Sequence, residues 1–505
     1  MTTTLLRNGH LLTMDPAYGE LARADVLITD SRITRIGVDL DAPADETIDC
    51  RDHIVLPGFV DTHRHMWQTQ LRGQMANSTL LDYAALIRGV YSACYEPDDV
   101  YIGILMGYLD ALNAGTTTLL DHCHIMNSAE HAAAAIRAFR DSGAGGVFCY
   151  GLFPNPDTDN PDSIERVLHP PTRLWDNARR TREVHFTASN DDRIRWGMAL
   201  SELEFFPIEY SLREIHFARE LGAHTISAHA GIGQPSRYTR YVERLGAAGE
   251  LDKDLLLVHG AALTNRELEL MVEHGVALSV TPETELQMGM GLPTLARFAA
   301  AGGRAGLGID IVSNQSSDMF TQMRLALQVT RGLDNQQLAR RGLFPTQLGM
   351  TVEHILRSAT IDGAEALGLA DEVGSISLGK RADIIAIRKT DVNMTPVVDA
   401  TAAVVLYANA GNIATVLTDG VVRKREGSLV GVDLAALTDR LLESTKRVLK
   451  RSTAFDSDKP LRAMRQFAPL TRRSSFEQRL AATVFRTNVK PLHDLLIRYA
   501  LKRAR

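Results

Sequence analysis

The residues best suited to chemistry are four histidines and one aspartate, each at the end of a short apolar run. "FVDTHRH" ends in His63 and His65, "TISAHAG" carries His229, "LLLVHG" carries His259 and "AGLGID" ends in Asp310. Imidazole and carboxylate are ligand types of zinc, and they also serve iron and manganese. Residues two apart in a strand face the same side, so His63 and His65 can point at one ion while Arg64 points away. A bound metal brings the pKa of its water near neutrality and so makes a hydrolytic nucleophile. Each residue alone has an ordinary structural reading. Together, in chain order at four strand ends, they point to a metal-dependent hydrolase.

Distant strand ends need a scaffold that gathers them. From Pro57 onward β-rich runs such as "GTTTLLDHCH", "GVFCYGLF" and "RIRWGMALS" alternate with helical stretches such as "SAEHAAAAIRAFRDSG" and "SLREIHFARELG". That alternation predicts a parallel sheet. This many units in about three hundred residues predicts a TIM-like (β/α)8 barrel, whose reactive side chains sit at the C-terminal ends of the strands. Both flanks differ in texture. "TLLRNGHLLTM" and "DVLITDSRITRIG" read as a β-meander, and "EVGSISLGKRADIIAIR" and "TVLTDGVVRKREG" return to that style. The expected division is a small β-sandwich domain from residues 1–57 and 373–431, the barrel over 58–372, and a helical, then basic, C-terminal extension over 432–505.

Composition narrows the function classes. The 505 residues are 45% hydrophobic, enough for a large core and more than one domain, and the net charge of −6 gives no general attraction to nucleic acid. Cys50, Cys94, Cys123 and Cys149 lack CxxC spacing and read as reduced core residues of a cytoplasmic protein. The opening "MTTTLLRNGHLLTMDP" has no signal-peptide pattern, and no run is long enough to span a bilayer. The tail mixes Arg and Lys with Leu, Phe and Tyr; packing across a subunit interface is the expected role, in a homo-oligomer with a dimer first in line.

The stretches "LPGFVDTHRHMWQTQLRG", "ALNAGTTTLLDH", "SAHAG", "LLLVHG", "GLGIDIVSNQSSDMF" and "ATIDGAEALGLADEVGSISLGKRADIIAI" resemble the amidohydrolase superfamily, in its branch of cytosine, guanine and triazine deaminases and hydrolases. The resemblance runs from about residue 4 to about residue 430. It implies one divalent metal, zinc before iron or manganese, held by His63, His65, His229 and Asp310. It implies that His259 lies beside the metal or polarises the substrate oxygen, and that Asp310 also takes the proton of the attacking water. It implies pocket roles for Trp67, Gln68, Arg72 and His122, with His124 near them.

One departure from that pattern bears on the substrate. Deaminases of this branch place a glutamate three residues after the fifth-strand histidine, where it shuttles protons to the heterocycle. Here "HAGIGQ" puts Ile232 there. Glu202 and Glu204, in "WGMALSELEFF", are the candidate replacements, or a pair of solvated acids opening the next helix. No lysine in that segment offers a bridge between two metals, so one metal is expected. The expected activity is cleavage of a non-peptide C–N bond of a small molecule, an amide or urea, with Ile232 as a pocket wall. The alternatives are a deaminase or dehalogenase of an N-heterocycle, and a non-enzymatic scaffold, which the retention of all five residues disfavours.

Overall fold

Two sheets organise the chain. The computed structural model describes residues 2–156, 172–186, 193–202 and 204–462. The first sheet begins with β1 (Thr3–Leu12), β2 (Glu20–Thr29), β3 (Arg32–Gly37), β4 (Glu46–Asp49) and β5 (His53–Pro57). The second holds β6 (Phe59–Arg64), β7 (Thr116–Cys123), β8 (Gly145–Gly151), β9 (Ile194–Ala199), β10 (Ile226–Ala230), β11 (Leu255–His259), β12 (Ala277–Val280) and β13 (Gly306–Leu307). The chain then returns to the first sheet with β14 (Ile384–Arg388), β15 (Ile413–Thr418), β16 (Val421–Arg425) and β17 (Ser428–Leu429).

The second sheet runs in sequence order from β6 to β13, every pair parallel. Its ends meet. The Asp310 N–H donates to the His63 carbonyl and the His65 N–H to the Asp310 carbonyl, both at 2.8 Å, so a bridge between Arg64 and Asp310 closes the barrel. Gly308 permits this approach, since a Cβ there would stand 3.0 Å from the His63 carbonyl oxygen. Helices cover the outside, so strands such as "GGVFCYG" and "LLLVH" are buried throughout and read as continuous apolar runs.

The first sheet joins both flanks: β14 from the C-terminal side pairs antiparallel with β5, and β5 pairs parallel with β1. The expected partnership of the two chain ends is therefore present as one nine-stranded, largely antiparallel sheet. A helix over Leu434–Ser452 follows and packs on the helix Pro97–Asn113. Asp99, buried, fixes it by accepting from Ser444 Oγ at 2.8 Å, Arg447 at 2.7 Å and Arg451 at 2.6 Å. The basic stretch 463–505, the rest of the expected extension, lies outside the described residues. No described helix is long and apolar enough to cross a membrane.

Candidate metal centre

Every candidate ligand sits at the C-terminal mouth of the barrel. His63 and His65 come from β6, His229 from β10, His259 from the last residue of β11, and Asp310 from three residues past β13. His63 Nε2 lies 3.2 Å from His229 Nε2 and 3.4 Å from Asp310 Oδ1; His65 Nε2 lies 3.3 Å from the same oxygen. Arg64 turns the other way, toward Asp61 and Asp110, as strand alternation requires. His259 and Asp310 have φ of 76° and 71°, a left-handed conformation unfavourable for residues with a Cβ. Such strain is retained where it aims side chains into a site.

The protonation pattern tests whether these groups fit a cation. His65 Nδ1 donates to the His122 carbonyl at 2.7 Å, an oxygen that can only accept. Burial holds the His65 ring below its ordinary pKa, although the Asp310 carboxylate pulls the other way. The neutral ring therefore turns the lone pair of Nε2 toward a carboxylate oxygen. Two buried acceptors 3.3 Å apart repel unless a cation lies among them. His229 Nδ1 is likewise occupied, donating to Glu202 Oε1 at 2.9 Å, which leaves Nε2 for the cluster. Burial works to raise Asp310, but the surrounding imidazoles outweigh it and hold the carboxyl well below its usual range. A divalent metal fits this donor set.

Supporting contacts set the orientation of the rings. His259 Nδ1 lies 2.8 Å from Thr281 Oγ1, and Thr281 Oγ1 donates to Glu285 Oε1 at 3.3 Å, so the histidine donates into the threonine. His122 Nδ1 contacts Ser227 Oγ at 3.1 Å, and its ring stacks on His229. His63, His122 and His229 thus form a second close set of ligand-type atoms overlapping the first. Carboxylate and hydroxyl partners behind ligand-type histidines fix tautomer and angle.

The other candidates divide. Glu204 is buried under the loop after β10 and accepts from Gly231 N–H at 3.2 Å, Ser236 Oγ at 2.9 Å and Thr239 Oγ1 at 3.0 Å. Burial pushes it up to about 7. It shapes the loop and does not reach the cluster. Gly231 is needed there: its φ is +70° and a Cβ would stand 3.0 Å from Gly260. Glu202, with its side chain 36% exposed, faces the mouth beside His229. Ile232, three residues after His229, is half-buried. Trp67 is wholly buried and donates to His124 Nδ1 at 2.9 Å; His124 stacks on His65. Gln68 bridges Tyr83 and Ser313. Arg72 is half-exposed and bonded to Asp110 at 2.7 Å, away from the cluster. Asp318 caps the helix Met319–Ala339 through the Thr321 N–H, and Asn314 is buried with its amide unpartnered. Sequence reasoning missed the Thr281–Glu285 support, which has no local signal. It also missed Arg88, whose signal is a lone cation in the apolar run "AALIRGV".

Known proteins resemble this chain along most of its length. The chain is 29% identical to a 5-methylthioadenosine/S-adenosylhomocysteine deaminase of Thermococcus kodakarensis over 82% of this chain and 92% of that protein. It is 25% identical to a 5'-deoxyadenosine deaminase of Methanosarcina mazei over 89% and 99% of the two chains. In fold it is similar to a zinc-bound adenosine deaminase from Xanthomonas campestris (TM-score 0.77, 21% identity, 89% and 99% covered). It is similar too to an atrazine chlorohydrolase from Arthrobacter aurescens complexed with zinc (TM-score 0.75, 21% identity, 88% and 100% covered). The model of the amidohydrolase family matches residues 54–423, a span that includes all five candidate residues. The chain therefore belongs to the amidohydrolase family and is a metal-dependent hydrolase of carbon–nitrogen bonds other than peptide bonds.

Proposed function

We propose that the chain uses one divalent metal, zinc, to hydrolyse the C–N bond of a small amide or urea. His63, His65, His229 and Asp310 would hold the metal, which when bound supplies Lewis-acid activation of water near neutral pH. Asp310 takes the proton of the attacking water and returns it to the leaving nitrogen. His259, at the barrel mouth with its Nδ1 held by Thr281, polarises the substrate oxygen from its Nε2 side. Glu202 orients His229 through Nδ1. Reduced, buried Cys50, Cys94, Cys123 and Cys149 support a cytoplasmic setting, and a homodimer completes the reading.

The observation that carries the substrate class is the fate of the acids. No acid follows His229 at position 232, and Glu204 is tied to the loop by its three donors. An amide or urea has no ring nitrogen that must be protonated before attack. Its oxygen needs only the metal and His259, and Ile232 offers an apolar wall for an alkyl or aryl substituent. Deamination of an amino-heterocycle is the second reading. It is favoured by the similarity to adenosine-type deaminases and by Glu202, whose carboxylate stands at the mouth. The test is release of amine or ammonia from both substrate classes by metal-loaded wild type, Glu202→Gln and Glu204→Gln. Amide or urea turnover that survives both substitutions supports the first reading. Fast ammonia release from an amino-heterocycle, with no amide or urea turned over, overturns it; loss of that release in Glu202→Gln identifies the relocated acid.

A further inference from the structure

Among the described residues, Arg88 is a buried cation with no ion-paired anion. It ends a single π-type turn, Ala84–Arg88, a kind of turn often found at functional sites. The residue is 7% exposed. Its Nη1 donates to the His124 carbonyl at 3.3 Å, and its guanidinium carbon lies 4.2 Å from the centre of the Phe153 ring. Nε and Nη2 have no hydrogen-bond partner, and no carboxylate of the described residues lies within ion-pair distance. These two nitrogens form the edge that binds a carboxylate side-on through two parallel hydrogen bonds. Burial pushes Arg88 down to about 10, so it stays charged at neutral pH.

Its surroundings are those of the metal centre. His124, whose carbonyl Arg88 holds, stacks on His65 with ring centres 4.1 Å apart. The Arg88 charge is felt by Glu202, His229 and Tyr83. A buried, unpaired charge is costly unless a partner arrives to satisfy it. Arg447 and Arg451, by contrast, are paired with the Asp99 carboxylate.

We propose that Arg88 binds a carboxylate of the substrate through Nε and Nη2, so that the amide or urea cleaved here belongs to a carboxylic acid. This rests on the proposed function but is testable without turnover. The probes are straight-chain ω-carboxy hydroxamates of graded length and their methyl esters, the hydroxamate anchoring at the metal. Binding to the metal-loaded protein is measured by calorimetry for wild type, Arg88→Met and Arg88→Lys. One chain length is expected to bind wild type about tenfold or more tighter as acid than as ester, the size of a charge-assisted pair. The ratio should fall to about one in Arg88→Met and be partly kept in Arg88→Lys. Arg88→Met is expected to melt no lower than wild type, because a buried unpaired charge is removed; a large drop would show a structural role and overturn the proposal. So would equal affinity of acid and ester at every length, or an acid preference that survives Arg88→Met. Absence of C–N turnover with the acid preference intact would instead overturn the proposed function alone.

Discussion

At the scale of single residues, the function rests on how a few polar groups are committed. Glu202 and Glu204 look equivalent in "SELEFF", yet one is spent on His229 and the other on a loop. Sequence spacing cannot make that distinction, because it depends on which way the chain turns after β9. Ile232 was legible, since a missing acid is a fact of composition at a fixed offset. Arg88 was not, because a lone arginine in an apolar run is usually one that reaches water by its long stem. The role of Thr281, which accepts from His259 Nδ1 and is itself held by Glu285, gives a residue-scale prediction. Thr281→Val keeps the shape but removes the acceptor, and it should lower kcat on any turned-over substrate by about tenfold to a hundredfold, the cost of leaving one buried donor without its partner. Metal content should be unchanged. Wild-type kcat in Thr281→Val would show that His259 needs no such support.

At the scale of elements, the alternation of strand and helix made the barrel legible, and the strand-end positions of His63, His65, His229, His259 and Asp310 followed from it. What alternation could not show is closure. β13 has only two residues, and the ring is completed by backbone bonds between His63, His65 and Asp310 themselves. The proposed ligand residues and the barrel seam are thus the same segment. The C-terminal helix is a second element-scale result. Its apolar spacing was readable, but its anchor, Asp99 on a distant helix, was not, because an acid in "EPDDV" reads as an ordinary first-turn residue. Asp99→Ala strips partners from Ser444, Arg447 and Arg451. Both arginines are partly exposed and can rehydrate, so the cost should be about 1–3 kcal/mol. Denaturant unfolding measures it. A loss below a few tenths would mean that the helix is held by its apolar face alone.

At the scale of the whole molecule, buried acids should set how stability responds to pH. Glu214 accepts from the Ser201 N–H and Oγ, both at 2.8 Å, and burial pushes it up to about 7; Glu204 stands at about 7 for the same reason. These acids are protonated in the folded state at a pH where the unfolded chain has already lost the proton. The unfolded state then binds fewer protons, and stability falls as pH rises from the ordinary glutamate range through about 7. Glu214→Gln mimics the protonated form, so it should flatten the decline of Tm between pH 5 and pH 8 and raise Tm most at the upper end. An unchanged slope would mean that Glu214 is ionised in the fold throughout.

The central claim is the metal centre, and its most direct test is metal per chain, measured by elemental analysis of purified wild type, His63→Ala, His229→Ala and Asp310→Ala after identical metal loading and desalting. The expected result is about one divalent ion per chain in wild type and well under half of that in each folded variant. A full complement of metal in the three variants would contradict the account.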